Sequence, residues 1–156
     1  MIYVFDTSSF RVLDHYFPKQ FPSFWNNFND YVLNEYIISV RDVYNELEKQ
    51  GIKTHLEEWV KSNKKAFLIP DDDEGNFVNQ IFVIPHFRQL IKRKQILQGR
   101  PSADPFVIAS AKIKNACVVT EETMTENASR IPNVCEHFNI ECTNLEGFME
   151  RENWRF

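Results

Sequence analysis

At 156 residues the chain suits one domain, long enough to bury roughly two thirds of its unfolded surface without disulfide or metal staples. An apolar fraction of 43% with fourteen Phe excludes a disordered chain and predicts a packed globule. A net charge of −4 excludes a general electrostatic attraction to nucleic acid, so any such binding must use a local basic patch or a metal.

Ile2 to Phe5 form a continuous apolar run that stops at Asp6, Thr7, Ser8 and Ser9. Such a run predicts a central strand of a mainly parallel α/β sheet, covered on both faces, with Asp6 at its C-terminal end. Ligands in open α/β sheets bind at that end, and the following hydroxyls suit helix capping or contact with phosphate. Ser8 to Tyr16 read as a short helix with Phe10, Leu13 and Phe17 near one side. Pro22 opens a second, in which Phe24, Trp25, Phe28, Tyr31, Val32 and Leu33 recur at helical spacing. Tyr36 to Ile38 are a brief apolar run. Ser39 is placed to cap a helix from Val40 to Gln50, whose inward stripe is Val40, Val43, Tyr44 and Leu47. Glu46 flanks that stripe.

His55 to Asn63 read as a further helix and Ala66 to Ile69 as a short strand. The acidic run Asp71 to Glu74 reads as a helix start, because it lacks the alternating ligands and closing Glu of a calcium loop. Phe77 to Leu97 have helical spacing interrupted by Pro85. This segment ends in the one basic cluster, Arg88, Lys92, Arg93, Lys94 and Arg100, a solvated face or a surface that tracks phosphates. Asp104 and Pro105 suit the start of a closely packed helix over Ala103 to Ala111. Ala116 to Thr120 are a second buried strand, ending in Glu121 and Glu122. A helix over Ile131 to Phe138, an edge strand over Ile140 to Cys142 and a helix over Leu145 to Arg151 complete the chain. Cys117, Cys135 and Cys142 give neither a disulfide framework nor zinc-ligand spacing. No segment approaches the ~20 apolar residues of a membrane span, and the chain reads as a cytoplasmic protein.

Asp6, Glu46, Asp104 and a carboxylate after the second strand can gather at one sheet edge. Clustered acids repel unless a cation joins them, and hard oxygen donors favour Mg or Mn. Two such ions ~4 Å apart activate water and stabilise both oxygens of a phosphodiester displacement.

The segments Phe5 to Phe10, Val43 to Leu47, Ala103 to Ala109 and Val119 to Glu122, in this order, resemble the PIN domain across essentially the whole chain. Phe21 to Trp25 and Ile131 to Cys135 are similar to bacterial PIN-like proteins of toxin–antitoxin type. The resemblance implies a single domain over 1–156, a three-layer α/β/α sandwich and a Mg/Mn-dependent endoribonuclease. Its catalytic and metal-binding acids would match Asp6, Glu46, Asp104 and Glu122, with Glu121 the other choice for the fourth. Thr7 and Ser8 would orient water or phosphate, and Arg88, Lys92, Arg93 and Arg100 would hold RNA backbone. An antitoxin and a homodimer are the implied protein partners. Ser8 stands where many members carry Asn, and Glu122 where Asp is usual. A non-catalytic scaffold for RNA or protein is the alternative. An aspartyl phosphotransfer domain is disfavoured, since it wants a second acid where Ser8 stands.

Overall fold

The computed structural model describes residues 1–51, 53–90 and 102–156. Among these the strands form one five-stranded parallel sheet in the order β3-β2-β1-β4-β5. Strand β1 is Tyr3–Phe5, β2 Ile37–Val40, β3 Phe67–Leu68, β4 Cys117–Val119 and β5 Cys142–Thr143. Every residue of β1, β2 and β4 is buried, as apolar runs with helices on both faces require. Tyr3 aligns with Ile37 on one side and Cys117 on the other, which fixes β1 as the central strand.

The helices are α1 (Thr7–Leu13), α2 (Pro22–Leu33), α3 (Arg41–Lys49), α4 (His55–Ser62), α5 (Asp72–Val83), α6 (Asp104–Lys114), α7 (Ile131–His137) and α8 (Leu145–Arg151). One layer is built on aromatic rings. The Phe5 ring lies 5.6 Å from Phe10 of α1, 5.6 Å from Phe28 of α2 and 5.4 Å from Phe148 of α8. Helices α5, α6 and α7 form the other layer, where α6 packs on α5, on α7 and on β1, β2 and β4. Asn115, in the left-handed region at φ 52°, ends α6 and turns the chain into β4, a conformation Asn tolerates better than most residues.

Several local expectations change. Ser39 is not a helix cap: it lies within β2, and its hydroxyl donates to the Phe5 carbonyl at 2.6 Å. Helix α1 stops at Leu13, so Phe17 leaves the buried side and is exposed. Leu33, at the end of α2, is exposed as well. The edge strand is Cys142–Thr143, which starts two residues later and ends one residue later than its sequence pattern indicates. The acidic run is a helix start as expected, with the Asp71 side chain accepting from the Glu74 N–H. No helix among the described residues is long and apolar enough to cross a membrane.

The end of α8 is fastened to the sheet by one carboxylate. Tyr3 donates to Glu152 Oε2 at 2.6 Å and Tyr31 donates to Oε1 at 2.7 Å. Replacing Glu152 with Ala leaves two partly buried hydroxyls without their charged acceptor and is expected to cost about 2 kcal/mol. Urea denaturation checks this, and the loss should shrink in a Tyr3→Phe, Tyr31→Phe background.

Candidate active site

The strand order reverses beside β1, because β2 and β3 extend to one side and β4 and β5 to the other. Crevices at such switch points lie beyond the C-terminal strand ends. Asp6 follows β1 there, and Thr120 follows β4. The Asp6 N–H donates to the Val119 carbonyl at 3.0 Å, and the Thr120 hydroxyl donates to Asp6 Oδ2 at 2.5 Å. Asp6 is also the N-cap of α1, with Oδ1 accepting from the Ser9 N–H at 2.8 Å.

Asp6 is 2% exposed, Glu46 3% and Asp104 2%. Burial decides against a solvated face for Glu46, although its position beside the apolar stripe allowed one. Glu46 reaches the residues next to both other acids. Thr7, next to Asp6, donates to Glu46 Oε2 at 2.5 Å. Glu46 Oε1 accepts from the Ala103 N–H at 3.3 Å, and Asp104 follows Ala103 as the first residue of α6. Capping does not explain Asp104, because Ala103 occupies the N-cap position. The Asp104 N–H in turn donates to the Ser102 hydroxyl at 3.2 Å.

Ser8 is the centre of the remaining contacts. Its Oγ lies 2.8 and 2.9 Å from the two Asp6 oxygens and 3.3 Å from Thr120 Oγ1, and it accepts from the Glu121 N–H at 3.0 Å. The hydroxyls of Thr7 and Ser8 are thus both engaged with carboxylates. Thr120, to which sequence reading gave no role of its own, binds Asp6 directly. Its sequence signals are a hydroxyl ending a buried strand and its place in the Val119 to Glu122 segment.

The two candidates for the fourth acid are drawn to helix starts. Glu122 Oε2 accepts from the Ile131 N–H of α7 at 3.3 Å, and Glu121 Oε1 from the Leu145 N–H of α8 at 2.8 Å. Glu122 nonetheless lies close enough to act on Asp6. Burial pushes the Asp6 carboxyl up to about 6, and the charge of Glu122 adds to this against the lowering effect of bonds from Thr120, Ser9 and Ser8. No Lys or Arg of the described residues forms an ion pair with Asp6.

As a donor set, buried carboxylates and hydroxyls without His or Cys fit a hard divalent cation. A buried carboxyl with a raised pKa is also a group whose ionised form a cation would stabilise. Among the described residues, however, no three His, Cys, Asp or Glu side chains are grouped as a ready cage for one ion. Asp6, Glu46, Glu121 and Glu122 are instead turned onto hydroxyl or amide donors. Of the expected RNA-binding cluster, Arg88 is exposed and its Nε donates to the Phe82 carbonyl at 2.7 Å. Lys92, Arg93 and Arg100 lie outside the described residues.

The model of a domain of unknown function, DUF4411, matches residues 3–156. No curated protein sequence matches. Among solved structures, the chain is similar to VapBC2 from Rickettsia felis, crystallised bound to a DNA fragment from its promoter. That alignment has a TM-score of 0.50 and 17% identity and covers 92% of this chain and 98% of the other. PAE2754 from Pyrobaculum aerophilum aligns over 89% of this chain and 97% of its own, at 11% identity and a TM-score of 0.38. The fold is the PIN-like α/β architecture expected from the sequence.

Proposed function

The chain belongs to the DUF4411 family, and from its switch-point acids we propose that it is a Mg- or Mn-dependent endoribonuclease, the toxin of a bacterial toxin–antitoxin pair. The observation that carries this reading is the contact path from buried Asp6 through Thr7 and Glu46 to Ala103 and Asp104. It runs across the C-terminal sheet edge, where a parallel α/β fold accepts ligands. The likeness to VapBC2 supports a protein antitoxin as partner, and a homodimer belongs to the same reading.

In this mechanism Asp6 and Asp104 would hold the ion, with Glu46 and Glu122 supporting it through water or at a second position. The ion, when bound, supplies an activated water and stabilises charge on the phosphodiester oxygens. The protein's own part is orientation. Thr120 and Ser8 hold the Asp6 carboxylate, Thr7 holds that of Glu46, and no protein nucleophile is required. Arg88, Lys92, Arg93 and Arg100 hold the RNA backbone, so affinity falls as salt rises.

One observation favours a second reading, a non-catalytic PIN-like scaffold for RNA or protein: among the described residues the acids are not grouped as a ready cage. Calorimetry with Mn distinguishes the two, since a scaffold shows no binding near millimolar metal. Cleavage of total RNA in Mn, with site mapping, tests the enzyme directly. Cleavage unchanged by the loss of Asp6 would overturn it.

The choice between Glu121 and Glu122 is tested by their amides. Glu122→Gln is expected to lower the cleavage rate by about 10- to 100-fold, the scale of lost outer-shell support at metal sites, because Glu122 acts on Asp6. Glu121→Gln should reduce it far less, since that carboxylate serves the start of α8. The reverse order would assign the role to Glu121.

A further inference from the structure

The acid site is continuous with a second concavity beyond Thr120. Where the sheet passes from β4 to β5, the Thr120 N–H donates to the Thr143 carbonyl at 2.9 Å. Past these two residues lies an open cleft of about 490 Å³, within the roughly 300–1,000 Å³ of ligand pockets. Thr120 lines this cleft and also donates to Asp6, so an occupant of the cleft is a neighbour of Asp6. The cleft is lined by Glu122 and Glu136 and, among the described residues, by no Lys or Arg. Such a wall repels phosphate. What it offers instead is the apolar surface of Met124 and Pro132, with Asn144 and Glu136 as polar groups. Met124 is exposed, in a segment that is neither helix nor strand, yet the backbone is held on both sides of it. Arg130 Nη1 donates to the Thr123 carbonyl at 3.3 Å, and Asn133 Nδ2 donates to the Thr125 carbonyl at 2.8 Å. Its thioether is thereby presented at the cleft with little left to order on binding.

We propose that this cleft is a nucleobase subsite that takes an unstacked guanine beside the scissile phosphate, with Glu136 as the residue that selects the base; as to substrate, the inference rests on the ribonuclease reading. Single-stranded RNA is read through splayed bases, by contact with their faces and hydrogen bonds to their Watson–Crick edges. Met124 and Pro132 suit the faces, since a polarizable thioether packs well on an aromatic ring. The edge decides the identity. Guanine sets two donors side by side, N1–H and N2–H2, and an ionised carboxylate accepts such a pair in parallel. Glu136, exposed near the end of α7, lines the cleft and can supply that carboxylate. Guanine also carries the acceptor O6 next to N1. Asn144 has its Oδ1 committed to the Gly147 N–H at 2.8 Å as the N-cap of α8, so its amide N–H2 is the group it can offer to O6. The other bases fit this pair worse. Adenine sets its N1 lone pair, and cytosine its N3 lone pair, against the carboxylate, and uracil has the single donor N3–H. Rejection by unpaired or opposed polar groups is a strong source of selectivity.

The test is titration of the whole chain with nucleosides in chelator, followed by NMR at the Met124 methyl group and the α7 amides. Guanosine, which has no phosphate for the acids to repel, is expected to shift the Met124 methyl and the Glu136 amide in a saturable way. Inosine, which lacks only the N2 amino group, should bind about tenfold more weakly, the factor one hydrogen bond to a charged group supplies. Adenosine, cytidine and uridine should bind more weakly still. Glu136→Gln, at an exposed position where the fold is not at stake, should lower guanosine affinity by about tenfold and level the nucleosides. Met124→Ala should weaken all of them together. Equal binding of the nucleosides, shifts confined to another part of the molecule, or no shift with guanosine at its solubility limit would overturn the subsite. Mapping of cleavage on total RNA in Mn separates the two readings. Guanosine binding in the cleft without any cleavage defeats the ribonuclease and leaves the subsite, whereas cleavage indifferent to guanine in both wild type and Glu136→Gln defeats the subsite and leaves the ribonuclease.

Discussion

Asp6→Asn is expected to abolish Mn-dependent RNA cleavage while making the metal-free protein more stable at neutral pH. The loss should be about a thousandfold or more, equivalent to ~4 kcal/mol of transition-state stabilisation. The gain follows from electrostatics. Asp6 is almost wholly buried, and its carboxyl stands at about 6 against an ordinary value of 3.8. A carboxyl raised on folding binds its proton more tightly in the folded state, so stability is highest in acid and falls as pH rises from the unfolded value through the folded one. Above about pH 6 the ionised group carries the whole penalty, about 3 kcal/mol from a shift of that size. Asn has no charge to desolvate, and it remains a good N-cap for α1, so the Ser9 N–H keeps an acceptor. Urea denaturation in chelator should therefore show wild type losing stability between pH 4 and pH 7 relative to Asp6→Asn. Equal curves at pH 7.5 would mean that Asp6 is not held at an electrostatic cost. Added Mn should narrow the difference, because an ion that binds only the folded wild type adds its binding free energy there.

The parts of this site written in the sequence are those with one-sided, local signals. Tyr3–Phe5 and Cys117–Val119 lie inside the segments read from apolar pattern, since burial on both faces leaves no polar alternation to misread. Asp6 was visible as the polar residue ending such a run, whereas Thr120 was read as part of the second strand, and parallel pairing of the two strands brings them together. Other features depend on partners far along the chain. Ser39 has the composition of a helix cap, but its hydroxyl is taken by a carbonyl on β1. Glu46 was ambiguous because only Thr7 and Ala103 decide which way it faces. Glu121 and Glu122 are adjacent and chemically alike; the separate helix starts they serve arise from the packing of α7 and α8 beyond them. Ser8 was read as a departure from a pattern, whereas in the fold it links Asp6 to the backbone after β4.

Phe5→Ala is expected to be the most damaging single truncation of the core, at about 3–5 kcal/mol. The ring ends the central strand and touches Phe10, Phe28 and Phe148, so one cavity would open among α1, α2 and α8 together. Collapse around it is restricted. Phe10 is also held against Phe67 at 5.2 Å, Phe28 against Phe24 at 5.8 Å, and Phe148 against Tyr3 at 4.7 Å. None of these rings can move into the gap without leaving another contact, and incomplete relaxation is what raises the cost of such cavities. A folded domain has a total stability of only about 5–15 kcal/mol. The variant should therefore show a large drop in urea midpoint with little change in slope. Phe156→Ala, at an exposed ring, is the matched control and should shift the midpoint only slightly. The same truncation bears on Asp6, the next residue, because the Phe5 carbonyl is the acceptor for Ser39 and anchors β1 to β2. If the folded fraction of Phe5→Ala retains full Mn affinity, the backbone ladder alone positions Asp6. Weaker binding by that folded fraction would mean that the aromatic layer beneath the site helps to hold it in place.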